Sequence, residues 1–237
     1  MNSLKKEKMN LKMKTKKLTI AFEDKNLLIV DKPAKLLTIG TTKEKERTLY
    51  HEVLTYLHKK NQKAFIVNRI DKDTSGLMVV AKNNKCHELL SEAFKNKTIN
   101  RYYTALVIGE LDTESGIIDA PIGRDPNERK RYTVTKQNSK TAITHFNVIK
   151  RYKGYTLLNL KLDTGRTHQI RVHMKYIGYP IYNDPIYTNA KCSDFGQFLH
   201  SREIDFNHPI TNKHLHFTAP LPKEFQDFIN NLTSLES

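Results

Sequence analysis

The sequence predicts a single domain of mixed α+β class. Three observations carry this. The chain has 237 residues, enough to bury one sizeable core. Its 38% hydrophobic and 27% charged residues fit a globular chain that folds in water. Strand-type and helix-type apolar patterns are interleaved in no repeating order, without an internal repeat or a convincing linker.

Taken in order, residues 1 to 17 form a Lys-rich arm with only Glu7 as counter-charge. Such a segment has too little apolar surface to fold alone; it reads as a solvated tail or as an arm that tracks phosphates. Leu27-Leu28-Ile29-Val30 is a buried strand ended by Asp31-Lys32-Pro33. Leu49, Val53, Tyr56 and Leu57 recur at helical spacing, in a helix ending near Lys60. Strands follow at 64–67 and 77–81. Cys86, Leu89, Leu90, Ala93 and Phe94 make the cleanest helical stripe, with Cys86 on its apolar face. From Arg101 to Gly109 the chain alternates as a strand, with Tyr103, Ala105 and Val107 on one face.

Residues 124–140 read as a basic, turn-rich stretch. A hairpin then folds 144–148 onto 155–162 around Lys153-Gly154. A helix is predicted over 167–177, with Ile170, Met174 and Ile177 facing the core and Gly178 and Pro180 stopping it. Two late strands fall near 197–199 and 214–217, and Phe225, Phe228, Ile229 and Leu232 mark a closing helix.

Lys plus Arg number 40 and Asp plus Glu 25, for a formal charge of +15. A charge of that size calls for a polyanionic partner, and nucleic acid is the expected one. No run of about 18 apolar residues appears, so a membrane span is not expected. Cys86 and Cys192 form no disulfide framework or metal motif, and the N-terminus lacks the apolar core of a signal peptide; a reducing cytoplasm is the expected compartment.

Two constellations carry chemistry. In Asn68-Arg69-Ile70-Asp71-Lys72-Asp73-Thr74-Ser75-Gly76-Leu77, Asp71 sits beside a cation at the mouth of a turn, before an apolar strand. With a reference pKa of about 3.9, an aspartate is ionised near neutrality and needs no base to act as a nucleophile. Asp71 could equally cap the Thr74-Ser75 turn, a role for which Asp73 competes. The second constellation is Gly165-Arg166-Thr167-His168-Gln169-Ile170-Arg171-Val172-His173, where either Arg could pair with a carboxylate or phosphate. His168 and His173 are five apart and do not share the helical face a zinc helix needs. Tyr103 reads as a strand-packing ring or as a platform for an unpaired base. No Gly-rich phosphate loop or Gly-x-Ser-x-Gly elbow is present, which disfavours nucleotide cofactors and serine-hydrolase chemistry.

Together these residues resemble the RluA-type RNA pseudouridine synthases. That family's central motif is close to His-Arg-Leu-Asp-x-x-Thr-Ser-Gly-Leu, and residues 68–77 match it with Asn68 in place of His and Ile70 in place of Leu. Leu28 to Pro33, Tyr103 to Gly109, Gly165 to His173, Ile177 to Ile181, Asp184, His208 to Thr211 and Phe217 to Pro222 follow in compatible order. The resemblance implies a pseudouridine-synthase fold: a mixed, mostly antiparallel central sheet with flanking helices and a central active-site cleft. It implies a catalytic domain over 18–237 behind the arm at 1–17, without the separate N-terminal RNA-binding domain many relatives carry.

It further implies roles. Asp71 is the catalytic aspartate, Arg171 its pairing arginine and Tyr103 the ring against the target base. Arg69 helps displace that base, and Leu215 presents an apolar side chain to it. Asn212 stands at a turn where relatives use Gly. The implied reaction isomerises uridine in ribosomal or transfer RNA, by base flipping, as a monomer, with no metal, nucleotide or redox cofactor. The contrasting expectation is a non-catalytic RNA-binding or ribosome-assembly protein on the same fold.

Overall fold

The structure, a computed structural model, describes residues 18–40, 44, 46–189 and 193–235. The predicted arm at 1–17 and Cys192 lie outside these residues. The strands are β1 (Thr19–Glu23), β2 (Leu27–Lys32), β3 (Phe65–Ile66), β4 (Ser75–Ala81), β5 (Asn100–Ile108), β6 (Ser115–Asp119), β7 (Ile122–Arg124), β8 (Tyr132–Val134), β9 (Ser139–Lys140), β10 (Ile143–Tyr152), β11 (Tyr155–Leu162), β12 (Leu199–Asn207) and β13 (His214–Thr218). The helices are α1 (Leu49–His58), α2 (Asn84–Lys95), α3 (Gln169–Tyr176) and α4 (Lys223–Asn230).

Ten strands form one sheet in the order β1-β2-β4-β12-β5-β11-β10-β6, with β3 also on β4 and β13 also on β12. The pairings in this sheet are antiparallel except β4 with β12. The parallel contact is short: His200 lies opposite Ser75, and Ser201 opposite Gly76. It falls on the Thr-Ser-Gly turn that follows Asp71, so the one break in sheet direction sits beside the predicted nucleophile.

That break explains Gly76. Its φ is +112°, and a Cβ there would lie 2.2 Å from the Ser201 carbonyl oxygen. Only glycine lets β12 approach so closely with that backbone. Side chains finish the join. Ser75 Oγ meets His200 Nδ1 at 2.8 Å, Gln197 Nε2 donates to Thr74 Oγ1 at 2.9 Å, and Ser201 Oγ donates to the Leu77 carbonyl at 3.0 Å. Burial drives the His200 pKa down to about 4, so His200 is neutral at physiological pH.

The sheet buries both faces, as the all-apolar β4 requires. On one face Leu28, Val30, Met78, Val80, Tyr103, Ala105 and Val107 pack with α1 and α3 residues such as Val53, Leu57, Ile170 and Met174. On the other, Leu27, Ile29, Leu77 and Val79 pack with Cys86 and Leu90 of α2. The period-2 alternation of β2 and β4 assigns each residue to its face. The helix starts are capped as their sequences suggest: Thr48 accepts from His51 N–H, and Asn83 from Cys86 N–H.

The chain differs from its sequence-level reading in four places. β1 and β6, the two ends of the sheet path, were not foreseen; short and partly exposed, they lack a full apolar alternation. The basic stretch at 124–140 contains β8 and β9 and the end of β7, which form a separate three-stranded sheet. These strands are two or three residues long, so pairing and packing define them rather than local pattern. The strand expected at 197–199 runs instead from Leu199 to Asn207, its period masked by Arg202, Glu203 and Asp205. Leu232 lies beyond the end of α4. Asn212 has φ +58°, a left-handed turn conformation that Asn tolerates in place of Gly.

Candidate active site

A cavity of about 740 Å³ opens between the β3–β4 loop, the C-terminal end of α2, β5 and the loop leading into α3. Asp71, Arg69, Tyr103, Arg166, His168 and Arg171 all line it. The two constellations, about 100 residues apart in sequence, therefore meet in one place.

Asp71 does not use its carboxylate as a turn cap. The turn is closed by the backbone, Thr74 N–H donating to the Asp71 carbonyl at 3.2 Å. The side chain instead accepts from Arg171 Nη1, at 3.0 Å to Oδ2. Among the described residues no hydrogen bond reaches Oδ1, and the side chain keeps 25% exposure. One oxygen is held and the other faces the cavity, as a nucleophile or base requires.

Arg171 is fixed from behind. Its side chain is 4% exposed, and Asp184, fully buried, takes Nε at 2.6 Å and Nη2 at 2.8 Å. Asp184 is itself held by the N–H groups of Ile186 (2.9 Å) and Tyr187 (3.1 Å). Burial works against the Arg171 charge, but the Asp184 hydrogen bonds and the charges of Asp71 and Asp184 overcome it and raise its pKa further. The guanidinium also lies over the Tyr187 ring, 5.0 Å from its centroid.

Tyr187 connects Arg171 to His168. Its hydroxyl accepts from Tyr132 N–H at 2.9 Å and meets His168 Nδ1 at 2.9 Å. Burial pushes the phenol up to about 12, so it keeps its proton. Burial lowers the His168 pKa although the Asp71 charge opposes it. The neutral ring then accepts the Tyr187 proton at Nδ1 and carries its own at Nε2. His168 sits at φ +58° ahead of α3, which turns its ring away from a helical register. His173, five residues on, is buried elsewhere, between Thr144 Oγ1 and the Ala120 carbonyl.

Tyr103 lies on β5 at 5% exposure, between Ser201 on β12 and Leu160 on β11. Burial raises its pKa, so its ring is a neutral surface at the cavity wall. Arg69 is exposed and has no hydrogen bond or ion pair among the described residues. Asn68, the departure from the family motif, accepts from Val79 N–H at 3.3 Å and so braces the loop against β4.

Leu215 is a correction. It lies on β13, pairs with Phe206 and packs on the α2 side of the sheet. It does not line the cavity, whose apolar wall comes from residues such as Leu162, Ile170 and Leu199. Position in a late motif does not settle this: β13 pairs with Glu203 to Asn207 of β12, beyond the His200–Ser201 segment that pairs with Ser75 and Gly76.

In the sequence Lys32 only marks the end of a strand. It is fully buried, and its ammonium donates to the carbonyls of Pro33 (2.9 Å), Leu36 (2.8 Å) and Lys72 (2.9 Å). The last bond ties it to the residue after Asp71. Burial lowers its pKa to about 7, against the charges of Asp71, Asp73 and Asp31. The signal was present in the alternation, since Lys32 shares the face of Leu28 and Val30 and so points toward the site.

A held carboxylate, a neutral ring beside it and a cationic rim define an enzyme that acts on one unit of a polyanion. Comparison with known proteins makes this specific. The family described as RNA pseudouridylate synthase matches residues 26–176. The Bacillus subtilis protein called uncharacterized RNA pseudouridine synthase YlyB is 44% identical over 91% of this chain and 73% of its own length. The ribosomal large subunit pseudouridine synthase D of Pseudomonas aeruginosa is 38% identical over 88% of this chain and 69% of its own. Among solved structures, the human RNA pseudouridylate synthase domain containing 1 shares the fold, with a TM-score of 0.76 at 22% identity over 93% of this chain and 91% of that one. The chain belongs to the RNA pseudouridylate synthase family. It is an isomerase that forms pseudouridine in RNA.

Proposed function

We propose that the protein isomerises uridine in ribosomal RNA of the large subunit, with Asp71 as the reacting carboxylate. Two relatives that match most of this chain, from Pseudomonas aeruginosa and Nitrosomonas europaea, bear the name ribosomal large subunit pseudouridine synthase D, which favours ribosomal over transfer RNA. The protein works as a monomer in the cytoplasm, where that RNA is made and assembled.

The observation that carries the mechanism is the Asp71–Arg171–Asp184 chain, with one Asp71 oxygen held and one open to the cavity. The target nucleotide first leaves its stack, at a cost of a few kcal/mol. Exposed Arg69 at the cavity mouth fills the space it leaves. Asp71 then attacks the ribose C1′ or removes the 2′ proton; both routes start from the same ionised, oriented carboxylate. The bond from N1 to C1′ breaks, the uracil turns against Tyr103, and C5 bonds to C1′ as the Asp71–C1′ bond breaks on the first route, or as Asp71 returns its proton to C2′ on the second. The C5 proton departs and N1 gains one, so the product is an isomer. The first route parallels the carboxylate nucleophile of retaining glycosidases.

The test is Asp71→Asn, assayed by tritium release from RNA carrying 5-tritiated uridine. Product should vanish while RNA affinity and thermal unfolding stay near wild type. An active Asn variant would refute the assignment. Mapping pseudouridines in total RNA with and without the protein identifies the target: a change confined to transfer RNA would overturn the ribosomal assignment.

A further inference from the structure

We propose that Arg101 is an anion-binding residue that grips a backbone phosphodiester at the target nucleotide. This rests on the reading of the cavity as the uridine site. Arg101 precedes Tyr103 by two positions on β5, so both side chains leave the strand on one face and both line the cavity.

Its setting is that of a built but incomplete site. The guanidinium lies over the Phe94 ring, 5.4 Å from its centroid. Its other neighbour is the backbone at Gly165, where an added Cβ would come within 3.2 Å of Nη1. Glycine at 165 therefore leaves room for the flat fork to lie against the loop. Nε is sealed from solvent with no hydrogen-bond partner, and no carboxylate pairs with the group among the described residues. The two cations buried at the site do have their partners, Arg171 two carboxylates and Lys32 three carbonyls.

A half-buried guanidinium with no counter-charge is costly unless a ligand completes it. The fork geometry suits an anion with two oxygens. Lys95 and Arg166, both exposed, line the same cavity and add positive charge around it. A base carbonyl would use one N–H and leave the charge uncompensated; a phosphodiester satisfies both. The charged group nearest the stacked base in RNA is its own backbone phosphate, which is why Arg101 and Tyr103 share a strand face.

The test uses the full chain and a ten-residue oligouridylate, which enters the cavity without breaking a duplex. Affinity is measured across a range of KCl concentrations for wild type, Arg101→Gln and Arg101→Lys. Arg101→Gln should bind about tenfold more weakly at 0.1 M salt, as expected for one charge-assisted contact. Its slope of log affinity against log salt should be shallower by about 0.7, the value for one single-strand phosphate. Arg101→Lys should restore most of the slope. Equal slopes in wild type and Arg101→Gln, or a defect in product formation with unchanged salt dependence, would overturn the proposal. Failure of the pseudouridine reading is separable, because wild type would then release no tritium from any RNA whatever its salt slope.

Discussion

Asp184→Asn tests whether the reactivity of Asp71 is set from behind. The substitution keeps shape and removes one charge. Arg171 then loses one of the two bonds it makes to Asp184, at 2.6 and 2.8 Å, because the new amide cannot accept. The remaining oxygen must also serve the N–H groups of Ile186 and Tyr187. Breaking a buried ion pair from one side costs about 3–5 kcal/mol. Here Arg171 keeps Asp71 as counter-charge, which places the cost near 3 kcal/mol. For a chain of this size that lowers the melting temperature by roughly 6–12 °C. The guanidinium would also swing toward Asp71, and a displacement of about 1 Å at a reacting group costs on the order of a hundredfold in rate. Single-turnover tritium release should show kcat down between ten- and a hundredfold with KM nearly unchanged, since Asp184 is sealed from the RNA. A melting temperature lowered as expected with kcat within twofold of wild type would refute the idea that Asp184 acts through Arg171.

Three further outcomes follow from the loop that carries Asp71 and the strand after it. Lys32→Met removes three carbonyl bonds and should lower kcat at least tenfold with little change in RNA affinity; unchanged turnover would show that the tie to Lys72 is dispensable. The Lys32 pKa is lowered to about 7 in the folded protein, so between about pH 7 and 10 the unfolded chain binds the extra proton. Wild-type stability, measured in urea relative to Lys32→Met, should therefore rise with pH across that window and be flat below it. Gly76→Ala places a Cβ 2.2 Å from the Ser201 carbonyl at φ +112°; it should cost more than about 4 kcal/mol and leave little soluble protein, and a normal yield with a normal melting temperature would contradict the close approach of β12.

What could be read from the chain divides along physical lines. The β2 and β4 runs, α1, α2 and the β10–β11 hairpin carry strong apolar periodicity, and the structure has them within a few residues of their expected bounds. The motif residues Asp71, Tyr103, Arg171 and Arg69 do converge on one cavity. What escaped was whatever depends on non-local pairing. β12 hides its alternation under charged residues yet joins β4 to β5. Lys32, Asp184 and Tyr187 act through bonds to residues far away in sequence, which no local pattern reveals. Leu215 failed for the same reason: which half of β12 its strand would pair with is a tertiary fact.

The arrangement around Arg171 is informative about chemistry as well as stability. One guanidinium stands between two carboxylates, so the trio carries a net negative charge. Asp184 takes two of the N–H bonds and Asp71 only one. Had Arg171 faced Asp71 alone, its fork could have closed on both oxygens and stabilised the anion at the expense of its reactivity. Because Asp184 occupies the better side of the fork, Asp71 receives enough contact to be oriented while Oδ1 accepts no hydrogen bond among the described residues. The neutral surroundings agree with this: Tyr103, Tyr187 and His168 are all held uncharged by burial. Around the cavity, Arg69, Lys72, Lys95, Arg101 and Arg166 supply positive charge that has no carboxylate partner among the described residues. Anion at the floor and cations at the mouth would favour a nucleotide held with its sugar toward Asp71, as the proposed reaction requires.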